Sequence, residues 1–163
     1  MSLISDLYKL QKKDIKKAAN VLFNAFSDDP VWKEIFNDED KYRVQFEMMV
    51  RFCMKYGNVF STSDNFEGVM AITPHDKDMN LWRIIRSGAF FLAMKISSAT
   101  KKMAPIFEQI EDEKKNVDIG PYIHVLIMGV SREFQGKGFG GKLLRALVEK
   151  AEIERVILLF SLA

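Results

Sequence analysis

The stretch from Val125 to Ala151, VLIMGVSREFQGKGFGGKLLRALVEKA, limits what this chain can fold into more than any other. The apolar run Val125 to Val130 predicts a buried strand. A polar turn, Ser131-Arg132-Glu133-Phe134, leads into Gln135-Gly136-Lys137-Gly138-Phe139-Gly140-Gly141. Leu143, Leu144, Leu147, Val148 and Ala151 then recur at helical spacing, with Lys142, Arg145, Glu149 and Lys150 on the opposite face. The stretch therefore reads as strand, glycine loop, helix.

Glycines just before a helix have a physical use. Without a Cβ the backbone reaches positive φ, and a ligand can come close to its amides. The first amides of a helix lack intrahelical partners and carry the positive end of its dipole. Together these features suit a pyrophosphate, and Lys137 and Lys142 add positive charge. The same glycines would also suit a loop that merely turns tightly. Two familiar phosphate loops do not fit. The nucleotide P-loop needs Ser or Thr after its Gly-Lys, and here Leu143 follows Lys142. The dinucleotide fingerprint opens a βαβ unit directly after a strand, whereas this loop comes late and follows a polar turn.

The segment MGVSREFQGKGFGGKLL resembles the GNAT superfamily, the N-acetyltransferases that use acetyl-coenzyme A. Their motif Q/R-x-x-G-x-G/A is matched by Gln135-Gly136-Lys137-Gly138-Phe139-Gly140, with Val130 at the end of the preceding strand. The resemblance implies an α/β fold with a central mixed, mostly antiparallel sheet flanked by helices. It implies that backbone amides from Gln135 to Gly141 hold the pyrophosphate. It also implies that the main chain of Met128, Gly129 and Val130 pairs with the pantetheine arm, and that a backbone amide near Val130 polarises the thioester carbonyl.

The 163 residues suit one domain, 1–163, with a real core. A net charge of +2 gives no case for nucleic-acid binding. No apolar run approaches the ~20 residues of a membrane span, and no signal peptide opens the chain, so a cytoplasmic protein without a membrane partner is expected. Cys53, the only cysteine, excludes an intrachain disulfide.

Toward the amino terminus, Leu7 to Leu10 predict a short strand. A helix follows from Asp14, with Ile15, Ala18, Ala19, Leu22 and Phe26 in phase, and Asp28-Asp29-Pro30 stops it. By resemblance, Phe26, Asp29 and Pro30 border the acceptor cleft; read alone, they are a helix stop. A second helix spans about Asp40 to Tyr56, with Tyr42, Phe46, Met49, Val50 and Cys53 on one face and Gly57 as its carboxyl cap. Its methionines read as core filler and Cys53 as a buried, inert thiol. Two strands, Asn58 to Ser63 and Gly68 to Thr73, join through a turn at Asp64 and Asn65. A third helix is expected from Met79 to Ile96, with Leu81, Ile85, Ala89, Leu92 and Ile96 in register, and a shorter one from about Pro105 to Glu113. Helices inserted between the third and fourth strands resemble a puromycin-acetyltransferase-like branch of the superfamily, where they roof the acceptor site. Asp112 to Lys115 reads as a solvated helix end.

Neither His75 nor His124 has a partner at metal-ligand spacing, so no metal is expected. His124 heads the strand leading to the glycine loop. In the family that strand lines the transfer cleft, which makes His124 the candidate base for the acceptor amine; an imidazole suits that task near neutral pH. A strand histidine also serves structure alone.

After the motif helix, Val156 to Ala163 supply a fifth strand, whereas the family continues with a further helix and a hairpin. The expectation is a carboxyl-terminally short domain with no candidate for the acid that protonates the leaving thiolate. Its strand of Val156, Ile157, Leu158, Leu159 and Phe160, near a sheet edge, would then draw the chain into a homo-oligomer. The implied function is transfer of the acetyl group of acetyl-coenzyme A to a primary amine of a small molecule. The alternatives are a coenzyme A-binding domain with little or no catalysis, and acetylation of a peptide terminus or lysine.

Overall fold

The computed structural model describes residues 2–116 and 118–160. In order the elements are β1 (Tyr8–Lys9), α1 (Ile15–Phe26), α2 (Pro30–Ile35), α3 (Glu39–Tyr56), β2 (Asn58–Ser61), β3 (Gly68–Pro74), α4 (Leu81–Arg86), α5 (Phe90–Lys95), α6 (Ser97–Asn116), β4 (Tyr122–Val130), α7 (Phe139–Glu154) and β5 (Ile157–Phe160). The sheet order is β1-β2-β3-β4-β5. Its first three pairings are antiparallel; β4 and β5 are parallel, and α7 supplies the crossover such a pair needs. The expected mixed, mostly antiparallel sheet with helices inserted between the third and fourth strands is what the chain forms.

Two apolar layers sandwich the sheet, and β3 is buried against both. Val69 and Ala71 face the layer of α1 and α3, whereas Met70 and Ile72 face the layer of α7. Along β4, Ile123 and Val125 face α7. A bulge follows: Ala71 pairs with Ile127 and Ile72 with Val125, so Leu126 is skipped. Beyond it the parity flips, and Ile127 faces α1 and α3. That flip turns Gly129 toward α1, where a Cβ would meet the Ala25 Cβ at 2.9 Å and Phe26 Cε2 at 3.0 Å. Glycine there is what lets α1 lie against the end of β4.

Four expectations change. The helix expected from Met79 to Ile96 is two short ones, because the chain turns at Ser87-Gly88-Ala89 with Gly88 at φ +78°. Of its supposed core stripe, Ala89 and Ile96 are fully buried, but Leu81 and Ile85 face solvent. The helix expected from Pro105 to Glu113 is part of the longer α6, which contains Pro105. Gly57 ends α3 by a different logic from a left-handed cap. Its φ is −147°, and a Cβ would lie 1.9 Å from the carbonyl oxygen of Ile72, so close approach to β3 demands glycine. A short helix, α2, follows the expected stop at Asp29-Pro30. Of the fifth strand, β5 accounts for Ile157 to Phe160, and residues 161–163 lie outside the described residues.

Candidate active site

The end of β4, the turn after it and the start of α7 make one cleft of about 260 Å³. It is lined by Val130, Phe134, Gln135, Gly136, Gly138, Phe139, Gly140 and Gly141. The loop geometry begins with Gln135, whose side-chain amide donates to the Val130 carbonyl at 3.0 Å. That bond closes the turn across a single 3-10 turn, Arg132–Phe134. Gly136 and Gly138 then take φ values of +74° and +88°, which L side chains rarely adopt. A Cβ on either would meet no atom within 4 Å, so their backbone borders open space.

Gly138 is the N-cap of α7 and offers no side chain to its first amides. The first intrahelical bond runs from the Lys142 amide to the Gly138 carbonyl, so Phe139, Gly140 and Gly141 present the unsatisfied N–H groups of the helix start. Their positive end faces the cleft floor, an arrangement that fits a pyrophosphate. The Lys137 ammonium stands 5.5 Å over the Phe134 ring, which packs edge-on against Phe139. Lys142, expected to lend its charge to the ligand, instead donates to the Thr62 carbonyl at 2.7 Å.

Met128, Gly129 and Val130 pair on one side with Met70, Val69 and Gly68. On the other side, the pairing of β4 with β5 runs only as far as Val125 and Phe160 among the described residues. Residues 126–130 thus carry, among those residues, a second edge without a strand partner, which is what an extended arm would need to pair with main chain. His124 lies on β4 opposite Thr73 and Leu159, its ring 6.5 Å from that of Tyr122. Six residues of strand put it roughly 20 Å from Val130, on the same face of the sheet as Leu126 by alternation.

The three residues expected to border the acceptor separate into two kinds. Phe26 touches β4 at Gly129 and stacks on Phe46, with its carbonyl accepting from the Tyr42 hydroxyl at 2.7 Å. Asp29 and Pro30 start α2: Asp29 accepts from the amides of Val31 and Trp32 at 2.9 and 3.2 Å, and Pro30 occupies the first helical turn. A second hollow, of about 360 Å³, lies beside them between Phe23, Lys33, Phe36 and Tyr42. Burial pushes the Tyr42 hydroxyl well above its ordinary pKa. Cys53 is fully buried, and burial likewise raises its thiol far out of the reactive range. Among the described residues no group of His, Cys, Asp and Glu is placed to hold a metal, and no helix is long and apolar enough to cross a membrane.

One functional neighbour escaped sequence reasoning. Asn24, near the end of α1, accepts with a single oxygen from the Ser131 hydroxyl at 2.9 Å and the Arg132 amide at 2.8 Å. Arg132 also pairs with Asp28. No local pattern signals contacts that join residues more than a hundred positions apart.

No family model matches the chain. The chain is 30% identical to an uncharacterised N-acetyltransferase of Schizosaccharomyces pombe, over 86% of its own length and 60% of that protein's. It therefore spans about three fifths of the relative it matches. In structure it is similar to a crystal structure of "histone acetyltransferase HPA2 and related acetyltransferase" from Corynebacterium glutamicum. The TM-score is 0.57 at 17% identity, covering 93% of this chain and 72% of that one. The structural likeness speaks for the fold, and the yeast relative adds sequence likeness over most of the chain. With the strand, glycine loop and capless helix start in the places the motif requires, the chain resembles the GNAT acetyltransferases, in sequence over most of its length and in fold.

Proposed function

We propose that the chain transfers the acetyl group of acetyl-coenzyme A to a primary amine of a small molecule, in the cytoplasm. The observation that carries this reading is the cleft at the start of α7, where glycine backbone and unsatisfied amides face open space beside a stretch of β4 with no second strand partner among the described residues. The amides of Gly136 to Gly141 would hold the pyrophosphate, and the main chain of Met128, Gly129 and Val130 the pantetheine arm. When bound, acetyl-coenzyme A supplies an acyl carbon activated as a thioester.

The work left to the protein is orientation, a proton and a charge. A backbone amide near Val130 donates to the acyl oxygen as negative charge grows on it. An acceptor ammonium has no lone pair, so its proton must first leave; we assign that proton to His124, which stands roughly 20 Å along β4 from Val130 and so reaches it only through an ordered-water relay. Phe26, held between Gly129 and Phe46, forms the apolar wall nearest β4 on the acceptor side. The Corynebacterium protein's name speaks of histones; at 17% identity its acceptor does not transfer to this chain.

The test is an acetylation assay with a panel of primary amines and a lysine peptide, following the free thiol of the coenzyme A released from acetyl-coenzyme A. Buried Cys53 keeps the thiol background low. Turnover of at least one small amine is expected. His124→Gln should lower kcat by about 10²–10⁴-fold with little change in KM for acetyl-coenzyme A. Turnover of the peptide alone would overturn the small-molecule acceptor, and an unchanged kcat in His124→Gln would remove the base.

A further inference from the structure

The glycine loop is held at both ends by a part of the molecule that never touches its cleft. The turn between β2 and β3 is rigid because its polar groups satisfy one another. Thr62 Oγ1 and Ser63 Oγ donate to the Glu67 carboxylate at 2.6 and 2.8 Å; the Thr62 amide donates to the Gly68 carbonyl and the Gly68 amide to Thr62 Oγ1, each at 3.1 Å. Burial works to raise the Glu67 carboxyl, but the hydrogen bonds it accepts, led by that from Thr62, together outweigh it and hold its pKa below the ordinary value. Thr62 and Glu67 are themselves buried.

Two carbonyls of this turn point at the loop's flanks. The Glu67 carbonyl accepts from the Ser131 amide at 2.9 Å, where the strand ends. The Thr62 carbonyl accepts from the Lys142 ammonium at 2.7 Å, where the helix begins. Ser131 is buried, and Asn24 adds a third hold through its hydroxyl and the next amide. Every residue between Ser131 and Lys142 is thus suspended from fixed points on α1 and the β2–β3 turn.

We infer that Asn24 and Lys142 are positioning residues for the anion loop: they set where its amides lie and make no contact with the bound phosphates themselves. Resting on the coenzyme reading above, this deepens it by dividing the lysines of the loop. Lys137, whose ammonium stands at the Phe134 ring beside the cleft, is left as the lysine able to reach the ligand. The neutral bonds of Asn24 are worth of order tenfold or less in an equilibrium, and the bond from the partly exposed Lys142 ammonium about tenfold or somewhat more, so each hold contributes a modest factor.

Three variants, Asn24→Ala, Lys142→Met and Lys137→Met, are compared with the parent chain in two measurements. The first is hydrogen exchange of residues 131–142 in the free protein, which needs no coenzyme. Asn24→Ala and Lys142→Met should speed exchange there severalfold while residues 143–154 stay as in the parent, and Asn24→Asp, which keeps an acceptor, should restore the slow rate. Lys137→Met should leave exchange unchanged. The second is calorimetric titration with coenzyme A at low and high salt. Asn24→Ala and Lys142→Met should each weaken binding about three- to tenfold with the parent's salt dependence intact, because no charge at the phosphate is lost. Lys137→Met should flatten that dependence.

A flattened salt dependence in Lys142→Met would make Lys142 a phosphate contact and overturn the division. Parent-like exchange in Asn24→Ala and Lys142→Met would overturn the clamp. Faster exchange throughout α7 would also overturn it, by making the effect a general loss of stability. If the parent chain binds no coenzyme A, the functional reading fails, and the exchange data alone decide whether the clamp exists.

Discussion

The β4–loop–α7 unit and the insertion α4–α5–α6 are held to the same sheet in opposite ways. In the first, Leu143, Ala146 and Leu147 are buried against Met70, Ile72 and Val125, and the loop between strand and helix is tied by named hydrogen bonds at both ends. In the second, α4 and α5 reach the core through Ile84, Ala89, Leu92, Ala93 and Ile96. They turn Leu81, Trp82, Phe91 and Met94 to solvent, with Trp82 74% and Phe91 76% exposed. One region is tied at both ends of its loop and builds a cleft. The other is anchored on one face and offers a broad apolar surface. The contrast separates the part of the chain that shapes a cleft from the part free to differ in what it covers.

The largest effect should come from the loop. Gly138→Asp adds a Cβ at φ +88° and a carboxylate beside the anion site, and no coenzyme A binding should be measurable by calorimetry. Binding within tenfold of the parent would mean that the ligand lies elsewhere. Next comes the core below the loop: Leu147→Ala removes a fully buried side chain and should cost about 2–5 kcal/mol in urea unfolding. Gly88→Ala, at φ +78° in open space, should cost only the roughly 1–2 kcal/mol of a left-handed residue with a side chain. A larger cost would show that the turn between α4 and α5 is more tightly fixed than its surroundings suggest.

The same contrast separates what the sequence discloses from what it hides. The strand, loop and α7 are legible because each cue is local: an apolar run, glycines, then apolar residues at helical spacing. The α1 and α3 stripes are legible for the same reason, and Ala18, Leu22, Phe46, Val50 and Cys53 are indeed buried. The insertion misleads because Leu81, Ile85, Ala89, Leu92 and Ile96 keep helical spacing across a turn. Periodicity does not register that Gly88 changes direction, nor which face meets α3. Pro105 argues for a helix start, yet α6 begins at Ser97 and runs through it. Asp29-Pro30 also carries the signature of a helix start, an N-cap followed by a first-turn proline, which reading the pair as a helix stop leaves out. Asn24 and the Thr62–Lys142 bond carry no sequence signal at all, since their partners meet only in the folded sheet.

The smallest stability effect should be Trp82→Ser, within about 0.5 kcal/mol of the parent because the ring is mostly in solvent. A greater loss would mean that the insertion is covered in solution. Self-association through β5 is the reading to weigh against this. Ile157 and Phe160 are 46% and 50% exposed, and replacing both with Lys should shift the protein toward monomer in light scattering. If Trp82→Ser dissociates the protein and the β5 double variant does not, the insertion and not the strand is the self-associating surface.

The central claim is that the β4–loop–α7 cleft holds the pyrophosphate of coenzyme A. Thermal unfolding with acetyl-coenzyme A, ATP and NADH at equal concentration tests it most directly. A ligand at 100 times its Kd stabilises by roughly 2.7 kcal/mol, so acetyl-coenzyme A should raise Tm by several degrees while ATP and NADH do much less. Equal stabilisation by ATP, or none by acetyl-coenzyme A, would contradict it.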